Sequence, residues 1–391
     1  MAHTDNRLKI FFSQAISALT PVLATLAALG VFAVILMTLG ANPVEAYGAL
    51  IEGAVGSGNA IADTLVKATP LLLIGLGTCI AFRGGVTNIG GEGQLIVGAI
   101  AATGLGLLFP SAPGYVLIPL AMLAGFFAGA VWGAIPGALK AYFNVNEILS
   151  TIMMNQIAVQ GMNFLLRDWM IDPDQVEAAS KIPQTARLAK AFDLPRLVPT
   201  RLHLGALLAV IVAILVYIFL WRTTIGYRIR AVGLNADAAR YAGIKVKRYI
   251  VLSLLLSGAL GGLAGAVQVY GVTHRMFTDG SAAGFTGGAG FNGIVAALFG
   301  QLHPLGTIPA AILFGALLVG ANKLQRVVQV PSALVTALNG LVVVFVVSSE
   351  IWRRRQAKKR QLLEMEEAAR AAPEPDIPPA NAAAATPPGA R

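Results

Sequence analysis

From Gly93 to Leu139 the chain runs through 47 positions without a charged side chain. A helix needs about 20 consecutive apolar residues to cross a bilayer, so this run holds two spans, broken at Pro110, Pro113 and Gly114. Other uncharged stretches repeat the pattern. Residues 10–44 hold one helix over 17–40, and 68–82 a second that extends outward past Lys67. Further spans fall at 148–166, 204–221 and 249–274. Residues 280–322 are divided by Gln301-Leu302-His303-Pro304 into a short segment and a full helix, and 327–349 give the tenth span. Only 12% of the 391 residues are charged and 56% are hydrophobic, too little charge to cover a soluble protein of this size. The expected fold is an all-α integral membrane protein of about ten transmembrane helices.

An even count puts both termini on one side, and Lys and Arg mark that side as cytoplasmic. Residues 222–248 carry Arg222, Arg228, Arg230, Arg240, Lys245, Lys247 and Arg248 against the single acid Asp237. Arg353, Arg354, Arg355, Lys358, Lys359 and Arg360 follow the last span, and Arg7 and Lys9 precede the first. The loop 167–203 dissents: it lies outside by the count, yet holds six basic residues with five acids. The chain therefore divides into a cytoplasmic N-terminus (1–16), a membrane domain (17–350) with the extracytoplasmic loop 167–203 and the cytoplasmic loop 222–248, and a cytoplasmic extension with an Ala/Pro-rich tail (351–391). The tail from Ala371 has eight Ala and six Pro in 21 residues, a composition expected to be disordered. The first apolar run far exceeds the ~7–15 residues of a signal-peptide core.

Several chemistries are excluded as expectations. One cysteine (Cys79) and four scattered histidines offer no disulfide and no metal cluster, and neither HExxH nor CxxC occurs. No G-x-x-x-x-G-K-[ST] loop exists to hold ATP, and no acid–base pair suggests catalysis. The net charge of +10 reads as orientation charge against anionic lipid rather than nucleic-acid affinity.

Glycine is placed rather than scattered. Gly125, Gly129, Gly133 and Gly137 recur every four residues in the fourth span, a spacing that lets backbones approach closely. Either a subunit interface or packing within one polypeptide explains it. Two glycine-rich segments also echo each other: GGVTNIGGEGQLIVGAI (84–100) and GGAGFNGIVAALFG (287–300) each place an Asn, Asn88 and Asn292, just before an apolar helix. By the count these helices run in opposite directions. Two pseudo-symmetric inverted halves with broken or short helices near the centre would give that arrangement, as would chance similarity.

The sharpest motif is NIGGEGQ, Asn88 to Gln94. Three glycines in seven residues disfavour helix by about 1 kcal/mol each relative to Ala, and Glu92 is a carboxylate flanked by apolar chain. Broken backbone at bilayer depth is tolerated only in packed protein or along a water-filled cavity. The segment is thus either part of a substrate pathway or a tight cytoplasmic turn with Glu92 in water. Asn155 and Gln156 lie in the middle of the fifth span, where amides either glue helices together or meet a ligand. Lys67 reads as snorkelling to the outer surface. In the basic loop, Asn235 can cap a short helix over 236–242 that Gly243 ends. Asp237 and Arg240 suit the dipole of that helix, which is either a docking surface or an ordinary loop.

The segment FRGGVTNIGGEGQLIVGA (82–99) resembles the corresponding motif of permease subunits of ABC importers, in the branch of branched-chain amino acid, ribose and nucleoside permeases. NIGGEGQ looks most like bacterial nucleoside importers. Gly233, Asn235, Ala238, Ala239, Gly243 and Ile244 are similar to that family's coupling-helix segment, and GFNGIVAALFGQLHPLG (290–306) also fits. The resemblance covers most of residues 20–350. It implies a nucleoside permease of the bacterial inner membrane, working without a cofactor of its own. The implied partners are a cytoplasmic ATP-binding subunit, a second permease subunit that is often non-identical, and an extracytoplasmic substrate-binding protein. Asn88, Glu92, Gln94, Asn155, Gln156 and Asn292 are the expected pathway residues. Gly226, Arg230, Gly233, Asn235, Ala238, Ala239 and Gly243 are the expected ATPase-coupling residues. A simple sugar is the rival cargo. A channel would need a filter that is not visible, and a proton-coupled transporter more intramembrane acids than Glu92 and Glu147.

Overall fold

The computed structural model describes residues 23–176 and 182–331, and parts of 334–356. The expected N-terminal segment 1–16 and almost all of the extension and tail over 351–391 lie outside the described residues. The described residues are mostly helical, with no β-strand and only two isolated bridges, Gln184 with Phe277 and Arg196 with His203.

Local chemistry sets the helix ends. After α1 (Leu23–Thr38), the Asn42 side chain accepts the Val44 N–H and Pro43 opens α2 (Pro43–Val55), as caps and first-turn prolines do. Ser57 caps α3 (Gly58–Arg83), and α4 (Gly91–Leu108) follows after seven residues of non-helical chain. Next come α5 (Gly114–Phe143) and α6 (Glu147–Arg167), the latter capped by Asn146 and tied back by Lys140–Glu147 at 3.0 Å. A single turn, α7 (Pro173–Val176), starts the long loop. Beyond it lie α8 (Leu204–Arg222), α9 (Thr224–Leu234), α10 (Ala236–Tyr241) and α11 (Val246–Gln268). The last of these runs on as a π-turn over Val269–Thr273. Finally α12 (Ala282–Thr286) and α13 (Ala289–Phe299) precede α14 (Pro304–Val328), and the described residues of 340–349 are helical.

Among the described residues, six helices are long and apolar enough to cross a membrane: α3, α4, α5, α8, α11 with its π-turn, and α14. The chain is therefore a multi-pass membrane protein. In the other four segments counted from sequence the described residues are largely helical, in helices that are shorter or less apolar. α13 has 11 residues, about 16 Å or half a bilayer, and α6 carries Asn155, Gln156, Gln160 and Asn163. The sequence reading did not include α2, whose Glu52 meets Lys323 of α14 at 2.6 Å.

α3 and α11 form the centre, with 83% and 72% of their apolar windows buried, whereas α5 and α8 show most of theirs outward. The glycine stripe of α5 lies against α11 of the same chain. A Cβ on Gly129 would sit 2.3 Å from Gly258 O, and one on Gly133 2.4 Å from Leu254 O. The stripe is internal packing.

The loop after α6 folds over the C-terminal end of α11. Thr185 N–H donates to Met276 O, Leu188 N–H to His274 O and Leu194 N–H to Tyr270 O, each at 2.9 Å. Beneath it His203 is 1% exposed, with Nδ1 accepting the Gly205 N–H, and His274 Nδ1 lies 2.7 Å from Asp193 Oδ1.

Candidate functional site

Residues 84–90 leave α3 at Arg83 and climb back along α6. Ile89 N–H lies 3.4 Å from Thr151 Oγ1, and Asn155 Nδ2 donates to Ile89 O at 2.9 Å. Asn155 Oδ1 then accepts the Gly93 N–H at 2.8 Å, satisfying one of the donors that a helix start leaves free. α4 thus begins beside Ile74 of α3, whose methyl would meet a Cβ on Gly91 at 3.0 Å. Ile74 is about 13 Å up the helix from Arg83. The NIGGEGQ segment is therefore not a tight turn in water: Asn88, Glu92 and Gln94 are each 2–3% exposed.

α13 starts at the same level and runs the other way. Its C-terminal end joins α14 near Arg83, whereas the C-terminal end of α4 lies under the loop, where Tyr270 donates to Ala102 O. The two N-termini abut at glycine: a Cβ on Gly91 would be 3.3 Å from Gly290 Cα. Neither N-cap residue, Gly90 or Gly288, offers a side-chain cap. Glu92 supplies it across the junction. Its Oε1 accepts the Gly290 N–H at 2.9 Å and the Phe291 N–H at 3.4 Å, and its Oε2 is buried without a hydrogen-bond partner among the described residues. A carboxylate between two helix N-termini is favourably placed against both dipoles.

The amides divide into two kinds. Asn88 and Gln94 face each other: Asn88 Nδ2 donates to Gln94 Oε1 at 3.1 Å and Gln94 Nε2 to Asn88 Oδ1 at 3.2 Å. Asn88 also donates to Ser257 Oγ of α11 at 2.7 Å and accepts the Gly90 N–H at 2.8 Å. These groups hold the break in shape. Asn292 is half-buried, and among the described residues its amide donates only to Gly288 O, at 3.0 Å. No hydrogen bond joins it to Asn88 among the described residues. Gln156, one position past Asn155, is exposed. Lys67 is exposed too, and its ammonium lies 3.9 Å from where a Cβ on Gly287 would stand, so it reaches toward the turn before α13. That turn needs glycine: Gly287 and Gly288 have φ of +62° and +74°.

The segment 222–248, expected from the sequence to couple to an ATPase, lies at the Arg83 end of α3. Thr223 caps α9, and Gly226 fits where a Cβ would be 2.1 Å from Phe219 O. Asn235 accepts the N–H groups of Asp237 and Ala238, both at 3.0 Å, to start α10, and Gly243 leaves it at φ +79°. Ala239 is buried in this chain's own core, while Ala238 is exposed. The outward surface includes Leu234 and Tyr241, which are 88% and 95% exposed.

A family model, branched-chain amino acid transport system / permease component, matches residues 60–347. The chain belongs to that permease family. Among its relatives, the guanosine ABC transporter permease protein NupP of Bacillus subtilis is 38% identical, over 85% of this chain and 93% of NupP. The glucose ABC transporter permease protein TsgB13 of Haloferax volcanii is 35% identical, over 86% and 88%. The nucleoside ABC transporter permease protein NupB of Lactococcus lactis is 32% identical, over 84% and 90%. The two bacteria each hold a second, more distant match, NupQ and NupC, at 32% and 28% identity. No solved structure matches.

Ser257, which holds Asn88, was not picked out from the sequence; a serine in an apolar helix was the available signal. The Ser257–Asn88 pairing spans 169 residues and has no local trace.

Proposed function

We propose that this permease is the membrane subunit of an ATP-driven importer that passes a nucleoside across the bacterial cytoplasmic membrane. The observation that carries the reading is the 38% identity with a guanosine permease along 85% of the chain. The geometry agrees with it. α4 and the half-length α13 meet at their N-termini beside buried amides and one shared carboxylate, a place where broken backbone is tolerated and an uncharged, hydroxylated cargo could pass. Asn88, Glu92, Gln94 and Asn155 shape the wall, Asn292 is the counterpart from the second half, and Gln156 is the outlying member. ATP is hydrolysed on a separate subunit that meets residues 222–248. Gly226, Arg230, Gly233, Asn235, Ala239 and Gly243 hold that surface in form, and Ala238 lies on it. NupQ and NupC beside NupP and NupB support a second, non-identical permease as partner, with a binding protein delivering cargo from outside.

The reading includes ten spans in two inverted halves with both termini inside. Single cysteines at Ala372 and Asp174 test the orientation: an impermeant reagent reaching both from one side refutes it. Uptake by the assembled importer tests the cargo. ATP-dependent accumulation of labelled guanosine is expected, and accumulation of glucose alone would favour the sugar reading that TsgB13 supports.

A further inference from the structure

Where α3 ends, one residue holds the turn after α13 with its side chain and starts the segment that leads to α4. Arg83 is the last residue of α3, and the segment 84–90 that starts from it leads to α4. Its Nε donates to Leu302 O at 3.1 Å and its Nη2 lies 3.5 Å from Gln301 O. Those carbonyls belong to the turn joining α13 to α14. Gln301 and Leu302 have φ of +57° and +53°, a left-handed pair without glycine that needs holding.

The coupling segment bears on the same point twice. Gly233 of α9 packs so tightly that a Cβ there would be 2.0 Å from Arg83 O and 2.7 Å from Gly85 N. Trp221, at the end of α8, has the Arg83 guanidinium 5.1 Å from its ring centroid and that of Arg230, from α9, at 5.4 Å. The His303 ring is 5.0 Å from the Trp221 ring, and Tyr217 stacks on it at 5.5 Å. A guanidinium can stack by its face and donate by its edge at once, which an ammonium cannot.

We propose that Arg83 is a positioning residue for transport: through it and Trp221, a displacement of α9 is delivered to the roots of α4 and α13 together. The proposal rests on the reading that 222–248 meets the ATPase. A rigid connection of this kind moves both arms in register, whereas α9 touches neither α4 nor α13 through any hydrogen bond among the described residues.

The test uses the assembled importer in a Cys79→Ser background, with Phe291→Cys reporting on the exposed start of α13 and co-purification of the ATPase reporting on assembly. In the unmodified assembly, ATP is expected to change the labelling rate at position 291. In Arg83→Gln, co-purification of the ATPase and basal ATP hydrolysis should persist. The ATP-dependent change at 291 should vanish and guanosine uptake fall by about tenfold, the scale of one lost charge-assisted bond. Arg83→Lys should not rescue it. Trp221→Leu, which leaves the bonds to residues 301 and 302 in place, should behave like Arg83→Gln and decides the matter if that variant fails to assemble. An unchanged ATP response at 291 in either assembled variant overturns the proposal, and so does failure of both variants to assemble. If the unmodified assembly shows the ATP response but no guanosine uptake, the cargo reading falls and this one stands. If it lacks the ATP response, this one falls.

Discussion

Glu92 is the residue on which the two ends of the chain's glycine-rich motifs close. Replacing it with Leu strands the buried N–H of Gly290, at about 1–3 kcal/mol, and removes the weaker, part-buried contact to the Phe291 N–H. Glu92→Gln keeps an acceptor in place. Thermal unfolding in detergent should show Glu92→Leu destabilised by a few kcal/mol and Glu92→Gln close to the parent, and equal stability of the two would remove the capping role. Asn88 and Asn292 should separate in the same way. Asn88→Leu leaves Gly90, Gln94 and Ser257 without their partner, so it should cost more than about 3 kcal/mol. Asn292→Leu gives up one half-buried bond, worth about 1 kcal/mol. Both should slow uptake. If the two variants unfold at the same temperature, the division of the amides is wrong. The polar group as such was legible, because polar residues amid apolar chain stand out. Their partners were not: Glu92 and Gly290 are 198 positions apart, and nothing local records such a pairing.

Among the elements, helix ends were the easiest to read. Asn235 and Gly243 bound α10 as their chemistry requires, and the break before α4 follows from its glycines. α2 escaped because 13 residues with two glutamates resemble neither a span nor a soluble helix. The side of α10 was also not legible: spacing located the helix, but its burial of Ala239 depends on α9 and α11 beneath it. That leaves Leu234 and Tyr241 outward, and the proposed ATPase contact can be tested there. Changing both to Ser should leave the permease folded and abolish co-purification with the ATPase, and undiminished co-purification would place the contact elsewhere. On α5, Gly129→Val would drive a branched side chain into the Gly258 carbonyl. Overpacking of this sort costs about 1–3 kcal/mol or more, seen as a lower unfolding temperature. A neutral result would mean that the α5–α11 contact is loose.

For the whole molecule, the folded loop makes stability depend on pH. Burial, aided by neighbouring His274, pushes His203 down to about 4. The same side chain in the unfolded chain titrates near pH ~6.5. Between these values the unfolded state binds the extra proton, so the contribution is complete above pH ~6.5, declines as pH falls, and is gone below pH ~4, amounting to roughly 3 kcal/mol. His274 is shifted in the same direction by burial, with Asp193 opposing and Arg187 and Arg196 assisting, which steepens the slope. Unfolding temperatures across this range should fall with acidity in the parent and much less in His203→Gln. Parallel curves would contradict the assignment.

The glycine contacts between helices also determine which parts of the permease can slip past one another. Gly98 and Gly125 both press on Gly262, and Gly265 on Leu95 O, at separations where an added Cβ would lie 2.0–2.9 Å from backbone. Backbones notched together this way have no soft side chains to shear, so sliding by a fraction of a turn collides and only a full step of about 5.4 Å would re-seat them. α4, α5 and α11 therefore travel as one stiff plank. α13 meets that plank at the Gly91–Gly290 junction and through the two bonds to Glu92, so a stiff plank would carry the start of α13 with it through this short seam.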